Sequence, residues 1–146
     1  SMWAFLRCTS LENVIIPSSV NTIGIQAFWG CTKLIHVELV DGLEKIDEWA
    51  FDGCTSLENV NIPSTVKTIG CWAFDGCTKL IHVELVEGLE KIDEGAFLGC
   101  TSLANVIIPS TVNTIGKRAI FPVWIKVKAS KSSSMVPNPP GKTTKP

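Results

Sequence analysis

The chain has 146 residues, 45% of them hydrophobic and 18% charged, enough apolar material for one buried core and too little charge for a solvated, disordered chain. The net charge of −1 conceals an asymmetry: residues 1–116 carry six Lys/Arg against all fourteen acids, a net −8, while residues 117–146 carry seven basic residues and no acid. No apolar run reaches the roughly 18 residues a membrane-spanning helix needs, and no leader pattern is visible at the start.

Ser1-Met2 reads as an expression scar ahead of a mid-repeat fragment, with residues 1–3 a scar or partial repeat and room for natural chain upstream. From Ala4 onward one phrase returns every 23 residues: Ala4-Phe5-Leu6-Arg7-Cys8, Ala27-Phe28-Trp29-Gly30-Cys31, Ala50-Phe51-Asp52-Gly53-Cys54, Ala73-Phe74-Asp75-Gly76-Cys77 and Ala96-Phe97-Leu98-Gly99-Cys100. It fades at Ala119-Ile120-Phe121. A fixed period of this length predicts a repeat solenoid, in which each coil buries its apolar face against its neighbours.

Within each coil the first element follows the cysteine. Leu11, Val14 and Ile16 recur as Leu34/Val37/Leu39, Leu57/Val60/Ile62, Leu80/Val83/Leu85 and Leu103/Val106/Ile108. Period-two spacing with β-branched residues predicts a short strand, one per coil, stacked into a parallel sheet about 4.8 Å between strands. Pro17, Pro63 and Pro109 end it. Positions 20 and 23 and the Ala-Phe pair complete the core. Before that pair, Gly24, Gly70 and Gly116 alternate with Asp47 and Asp93. Both residue types cap helices, so a single helical or 3-10 turn is expected there, with Glu48 and Glu94 in its first turn. A longer period overlies the first: residues 8–53 and 54–99 form two copies of a double unit. The copies differ at nine positions, five of which flank the Ala-Phe pair (25/71, 26/72, 29/75, 49/95 and 52/98) and read as solvated surface.

The unit Cys-x-x-Leu-x-x-Val-x-Ile-Pro-x-x-Val-x-x-Ile-Gly-x-x-Ala-Phe resembles the BspA-like (Treponema-type) leucine-rich repeat. Residues 4–118 match it over five units, with the proline missing from even coils and Asp47 and Asp93 in place of glycine. Residues 119–129 read as a degenerate last repeat or cap, with Val123-Trp124-Ile125-Lys126-Val127 as an alternating strand, and residues 130–146 as a disordered Ser/Pro/Lys-rich tail. The resemblance implies a curved solenoid used for binding, often in surface or adhesin-like proteins, with no catalytic activity of its own.

Candidate chemistry is sparse. Cys8, Cys31, Cys54, Cys77 and Cys100 share one repeat position, where side chains of stacked coils run parallel rather than converge on a metal ion, and stand farther apart than a disulfide allows. They read as a ladder of small apolar residues. Cys71 falls at a position expected to be exposed and reads as one reactive thiol. His36 and His82 stand two coils apart, about 9.6 Å on strand spacing, too far to share an ion. Asp52 and Asp75 lie at one outward position on adjacent coils and read as solvated acids rather than a glycosidase pair or a calcium site. With no phosphate loop or nucleophile–base pair either, no catalytic residue, cofactor or metal is expected.

What remains points to recognition of another protein. Asn13, Ile15, His36, Glu38, Asn59, Asn61, His82, Glu84, Asn105 and Ile107 alternate with the core positions and should line the concave face of the sheet. Trp49 and Trp72, at adjacent repeats of one position with Trp3, and Trp29 near by, should form an edge patch suited to a protein or sugar. A structural or adhesin-type segment that self-associates or binds glycans is the alternative. The tail lysines lack the aromatic interleaving of a nucleic-acid site. Localisation is drawn two ways: the resemblance leans to the cell surface or a secreted form, and unpaired thiols fit a reducing compartment.

Overall fold

The computed structural model describes residues 1–121 and 126–129. The chain winds as a parallel solenoid whose coils repeat the same three-sided course. On one side lie β1 (Asn13–Ile16), β3 (His36–Leu39), β5 (Asn59–Asn61), β7 (His82–Glu84), β10 (Asn105–Ile108) and β13 (Lys126–Ala129). On the second lie the two-residue strands β2 (Thr22–Ile23), β4 (Lys45–Ile46), β6 (Thr68–Ile69), β8 (Lys91–Ile92) and β11 (Thr114–Ile115). The third side is a run of tight turns around each Ala-Phe pair, with β9 (Phe97–Leu98) and β12 (Ile120–Phe121) at its last two levels.

Every pairing is parallel, and all but one keep the 23-residue register of the repeat, with Val14 opposite Val37, Ile23 opposite Ile46 and Ile46 opposite Ile69; β13 pairs with β10 at an interval of 21, Asn105 opposite Lys126. Identical positions therefore stack, and the core is a set of columns. Phe28, Phe51, Phe74 and Phe97 form one, capped by the exposed Phe5, each ring 5.1–5.2 Å from the next and nearly parallel to it. Leu34, Leu57, Leu80 and Leu103 form another, all without exposed surface. Among the described residues no polar or charged side chain is buried. Such a core is held by the hydrophobic effect and by offset ring stacking, which adds about 1 kcal/mol per pair beyond area burial.

The third side is built of single tight turns. Among the described residues there is no helix. Ala27 N–H donates to Gly24 O and Cys31 N–H to Phe28 O, closing two successive turns of three-residue span. The third residue of the first turn sits in left-handed backbone at every level: Trp3, Gln26, Trp49, Trp72 and Arg118 at φ 53–55°, Gly95 at 63°. A residue at positive φ cannot continue a right-handed helix. The freed amides turn outward along the solenoid instead: Phe28 N–H donates to Ala50 O, Phe51 to Ala73 O and Phe74 to Ala96 O, at 2.7–2.8 Å. The turns are thus stitched coil to coil as the strands are.

The glycine–aspartate alternation has a packing cause. A Cβ at Gly70 would stand 2.8 Å from the carbonyl carbon of Asp47 and the amide nitrogen of Glu48, and at Gly116 it would strike the same two backbone atoms of Asp93 and Glu94. The aspartates are held by their own level: Lys45 Nζ lies 3.2 Å from Asp47 Oδ1 and Lys91 Nζ 2.9 Å from Asp93 Oδ1.

Candidate functional site

The strand face of the solenoid presents two columns of outward side chains. Asn13, His36, Asn59 and His82 align through β1, β3, β5 and β7, and Ile15 aligns with Glu38, as Asn61 does with Glu84. Asn105 and Ile107 continue the columns on β10, where they pair with Lys126 and Lys128 of β13. All of these up to Ile107 are exposed over a valine row that is buried from Val37 to Val106. Ile15 and Ile107 are apolar and open, at 68% and 58% exposure. Among the described residues, Asn13, His36, Glu38, Asn59, Asn61, His82, Glu84 and Asn105 make no side-chain hydrogen bond or ion pair within the molecule.

Elsewhere a set of hydroxyl side chains joins one coil to the next. Thr65 Oγ1 accepts from Gly42 N–H at 3.1 Å and donates to Leu43 O at 2.6 Å; Thr111 does the same with Gly88 and Leu89. Ser56 and Ser102 hydroxyls donate to Thr32 O and Thr78 O, both at 2.6 Å. These residues join one coil to the one before it, whereas the strand-face residues hold nothing together.

The ladder itself is uneven. β1 and β3 pair at four residues and β5 and β7 at three, but β3 and β5 meet at one, His36 opposite Asn59. Ile62 N–H is directed to Glu84 O on β7, at 2.9 Å, and the next residue, Pro63, has no N–H to offer β3. A shallow cavity of about 90 Å³ opens at this junction, lined by His36, Val37, Glu38, Leu39, Asn59 and Asn61. Leu39 is half-exposed there, while its counterparts Ile16, Ile62, Leu85 and Ile108 are buried. At this junction the strand face has an apolar-floored, polar-rimmed depression.

Trp3, Trp29, Trp49 and Trp72 lie on the turn side. The Trp49 and Trp72 rings stack at 5.2 Å, 10° from parallel. A Cβ at Gly95 would strike Trp72 Cδ1, so the second indole lies directly over that glycine. Trp3 Nε1–H donates to Gln26 Oε1 at 2.8 Å. Trp29 Nε1–H donates to Asp52 Oδ2 at 2.8 Å, and the Arg7 guanidinium sits 5.7 Å from its ring centroid. Trp29, Trp49 and Trp72 are all half-buried. The flanks of the Ala-Phe pair are accordingly not the freely solvated surface their variability suggests: residues 25, 26, 29, 49, 52, 71, 72 and 75 are half-buried, and Gly95 is buried.

The cysteine ladder is dry. Cys31 Sγ donates to Phe5 O at 3.1 Å, and Cys54, Cys77 and Cys100 donate to Phe28, Phe51 and Phe74 carbonyls at 3.2 Å. Burial pushes all four thiols up, Cys100 to about 12. They remain protonated donors. Cys71 is half-buried, and its thiol is also raised, by burial and then by the Asp93 and Glu48 carboxylates, so it is a weaker nucleophile than an open cysteine. Burial likewise raises the Asp52 and Asp75 carboxyls, the Trp29 hydrogen bond opposing it at Asp52 and the Asp52 charge adding to it at Asp75. Among the described residues no group of His, Cys, Asp and Glu is arranged to hold a metal ion, and no helix is long and apolar enough to cross a membrane.

Residues 1–122 match the model of the BspA type leucine-rich repeat region, in six copies. The chain belongs to this family. Its BspA-type solenoid is similar to a leucine-rich cell surface protein from Faecalibacterium prausnitzii A2-165, with a TM-score of 0.81 and 34% identity over 91% of this chain and 36% of that one. The pneumococcal vaccine antigen PcpA aligns with a TM-score of 0.71 at 27% identity, over 83% of this chain and 31% of that one. The T. pallidum leucine-rich repeat protein aligns with a TM-score of 0.54 at 33% identity, over 79% of this chain and 64% of that one. No curated protein matches the chain. This BspA-type chain spans about a third of the length of the first two structures.

Proposed function

We propose that this chain is a non-catalytic protein-binding module whose contact surface is the strand face, centred on His36, Glu38, Asn59, Asn61, His82 and Glu84, with Asn13 and Asn105 at its margins. The observation that carries the reading is the division of labour among polar residues. Side chains that join coils are hydrogen-bonded across them, while those on the strand face are exposed and unengaged over a sealed core. A surface of this kind can change its side chains without cost to the fold, which suits recognition.

The relatives named as a cell surface protein and a vaccine antigen favour a surface or secreted setting for the parent protein. The Trp49–Trp72 stack has its ring faces against each other and against Gly95, so it serves first to cover the turn side. The reading is tested with a full-length chain carrying Glu38→Ala, Asn61→Ala and Glu84→Ala together. The triple variant should melt within a few degrees of the wild type and lose the protein retained by immobilised wild type from source-cell lysate. Retention of that protein at undiminished strength overturns the assignment to this face.

A further inference from the structure

The strand face carries a second period, twice the length of a coil. Ile35, His36 and Glu38 return two coils on as Ile81, His82 and Glu84, and the coil between offers Asn59 and Asn61 in the same columns. The two isoleucines stand just ahead of their strands, 44% and 58% exposed. The backbone takes the same double step. β1 pairs with β3 and β5 with β7 along their length, but β3 meets β5 at one residue pair, and among the described residues no ladder joins β7 to β10. Each Ile-His-x-Glu set therefore borders a break in the sheet.

Two strand spacings, about 9.6 Å along the solenoid, separate the sets. A partner chain that engages both must present like side chains at that interval. A polyproline II helix does so, with three residues per turn and about 9.3 Å between residues i and i+3. An extended strand repeats its face at about 6.7 Å, and an α-helix over seven residues at about 10.5 Å. Polyproline II also leaves its backbone carbonyls without internal hydrogen bonds. The side-chain amides of Asn59 and Asn61 stand between the two sets, exposed and unengaged, and can donate to them.

The charge on the face sets which side chain the partner carries. Over these three coils the two columns hold Glu38 and Glu84 and no Lys or Arg. Lys33 and Lys79 precede their strands, on the far side of the isoleucines from the acids. Lys126 and Lys128 take over the columns on β13, two coils beyond His82 and Glu84. The acidic stretch therefore holds two cations, one polyproline turn apart.

We propose that the strand face binds a polyproline II segment of another protein, laid along the solenoid axis, with a Lys or Arg at every third residue beside Glu38 and Glu84 and proline rings against Ile35 and Ile81. This rests on the strand face being the binding surface and names the class of its partner.

The test titrates isotope-labelled full-length chain with synthetic peptides. Four repeats of Pro-Pro-Lys should shift the amides of His36, Glu38, Asn59, Asn61, His82 and Glu84 as a set. Glu38→Gln and Glu84→Gln should each weaken that peptide about threefold, and both together about tenfold, the scale of two partly exposed ion pairs. A permuted peptide of the same composition, its lysines never three residues apart, should bind wild type about threefold more weakly and the double variant equally. Equal binding of ordered and permuted peptides by wild type overturns the proposal, because attraction is then to charge alone. Tighter binding of a lysine-bearing α-helical peptide or of a chitin oligosaccharide overturns it too, as do amide shifts off the strand face. If the Pro-Pro-Lys peptide does not bind while the Glu38/Asn61/Glu84 triple variant loses its lysate partner, the polyproline proposal falls and the strand-face assignment stands.

Discussion

The indole N–H of Trp29 donates to Asp52 Oδ2 across one coil, at 2.8 Å, so two residues at the same repeat position bond to each other rather than to solvent. The bond opposes the upward push of burial on the Asp52 carboxyl without cancelling it. A folded carboxyl that holds its proton more tightly than the unfolded one stabilises most below the ordinary carboxylate range, and that contribution fades as pH rises through the folded pKa. Asp52→Asn keeps an oxygen for Trp29, removes the ionisable group and relieves Asp75 of a neighbouring charge. Thermal melts should show the variant equal to wild type in acid and more stable at neutral pH, by less than about 1 kcal/mol given solvent screening. A variant that loses stability at neutral pH would show the charge itself to be needed.

Thiol titration should separate the cysteines by their place in the coil. In the native chain at about pH 8, Cys8 and Cys71 should react with a disulfide reagent, Cys71 slowly, while Cys31, Cys54, Cys77 and Cys100 should react only on unfolding. Cys77→Ala should cost about 1–2 kcal/mol by denaturant melts, through a small cavity and a lost bond to Phe51 O. Four thiols reacting in the native state would contradict the sealed ladder.

Gly70 is pinned by its neighbour's backbone. Gly70→Ala brings a Cβ to 2.8 Å from two backbone atoms of the preceding coil, and should destabilise by about 1–3 kcal/mol. Gly53→Ala is the informative control: its Cβ meets Gly30 at an ordinary 3.7 Å, so any loss there comes from its φ of 72° rather than from contact. The two losses respond differently to Asn, which tolerates positive φ but not the clash.

Arg118 occupies left-handed backbone at φ 53° and is exposed. Arg118→Gly should raise stability by about 0.5 kcal/mol, a rise in melting temperature of a few degrees, since released strain exceeds the added unfolded-state entropy. A fall in melting temperature would mean that the arginine side chain contributes more than its backbone costs.

How much of this was legible in the sequence follows from what a repeat encodes. The Phe5–Phe97 column, the buried cysteines and the parallel register follow from spacing alone, because equal intervals force equal neighbours. The adjacency of Trp49 and Trp72 was readable for the same reason. Their left-handed backbone was not, since tryptophan is a poor marker of positive φ; glycine at the same position in the fifth coil, Gly95, was the available signal. The alternation of Gly70 with Asp47 was read as two ways to cap a helix, whereas the deciding fact is how near one coil's backbone comes to the next. The opening between β3 and β5 was hidden in the absence of one N–H at Pro63, a residue legible as a strand end but not as a gap between strands.

The contacts that join coils come in two kinds. Thr65 reaches back to Gly42 and Leu43, and Thr111 to Gly88 and Leu89, so a threonine coil sits on a glycine coil. Remove a single 23-residue coil and that threonine meets another of its own kind; remove two and the threonine–glycine contact is restored. The quantum of length change in this protein is therefore the pair, residues 8–53 or 54–99. An array built this way can lengthen or shorten its reach in fixed steps while threonine always meets glycine at the junction.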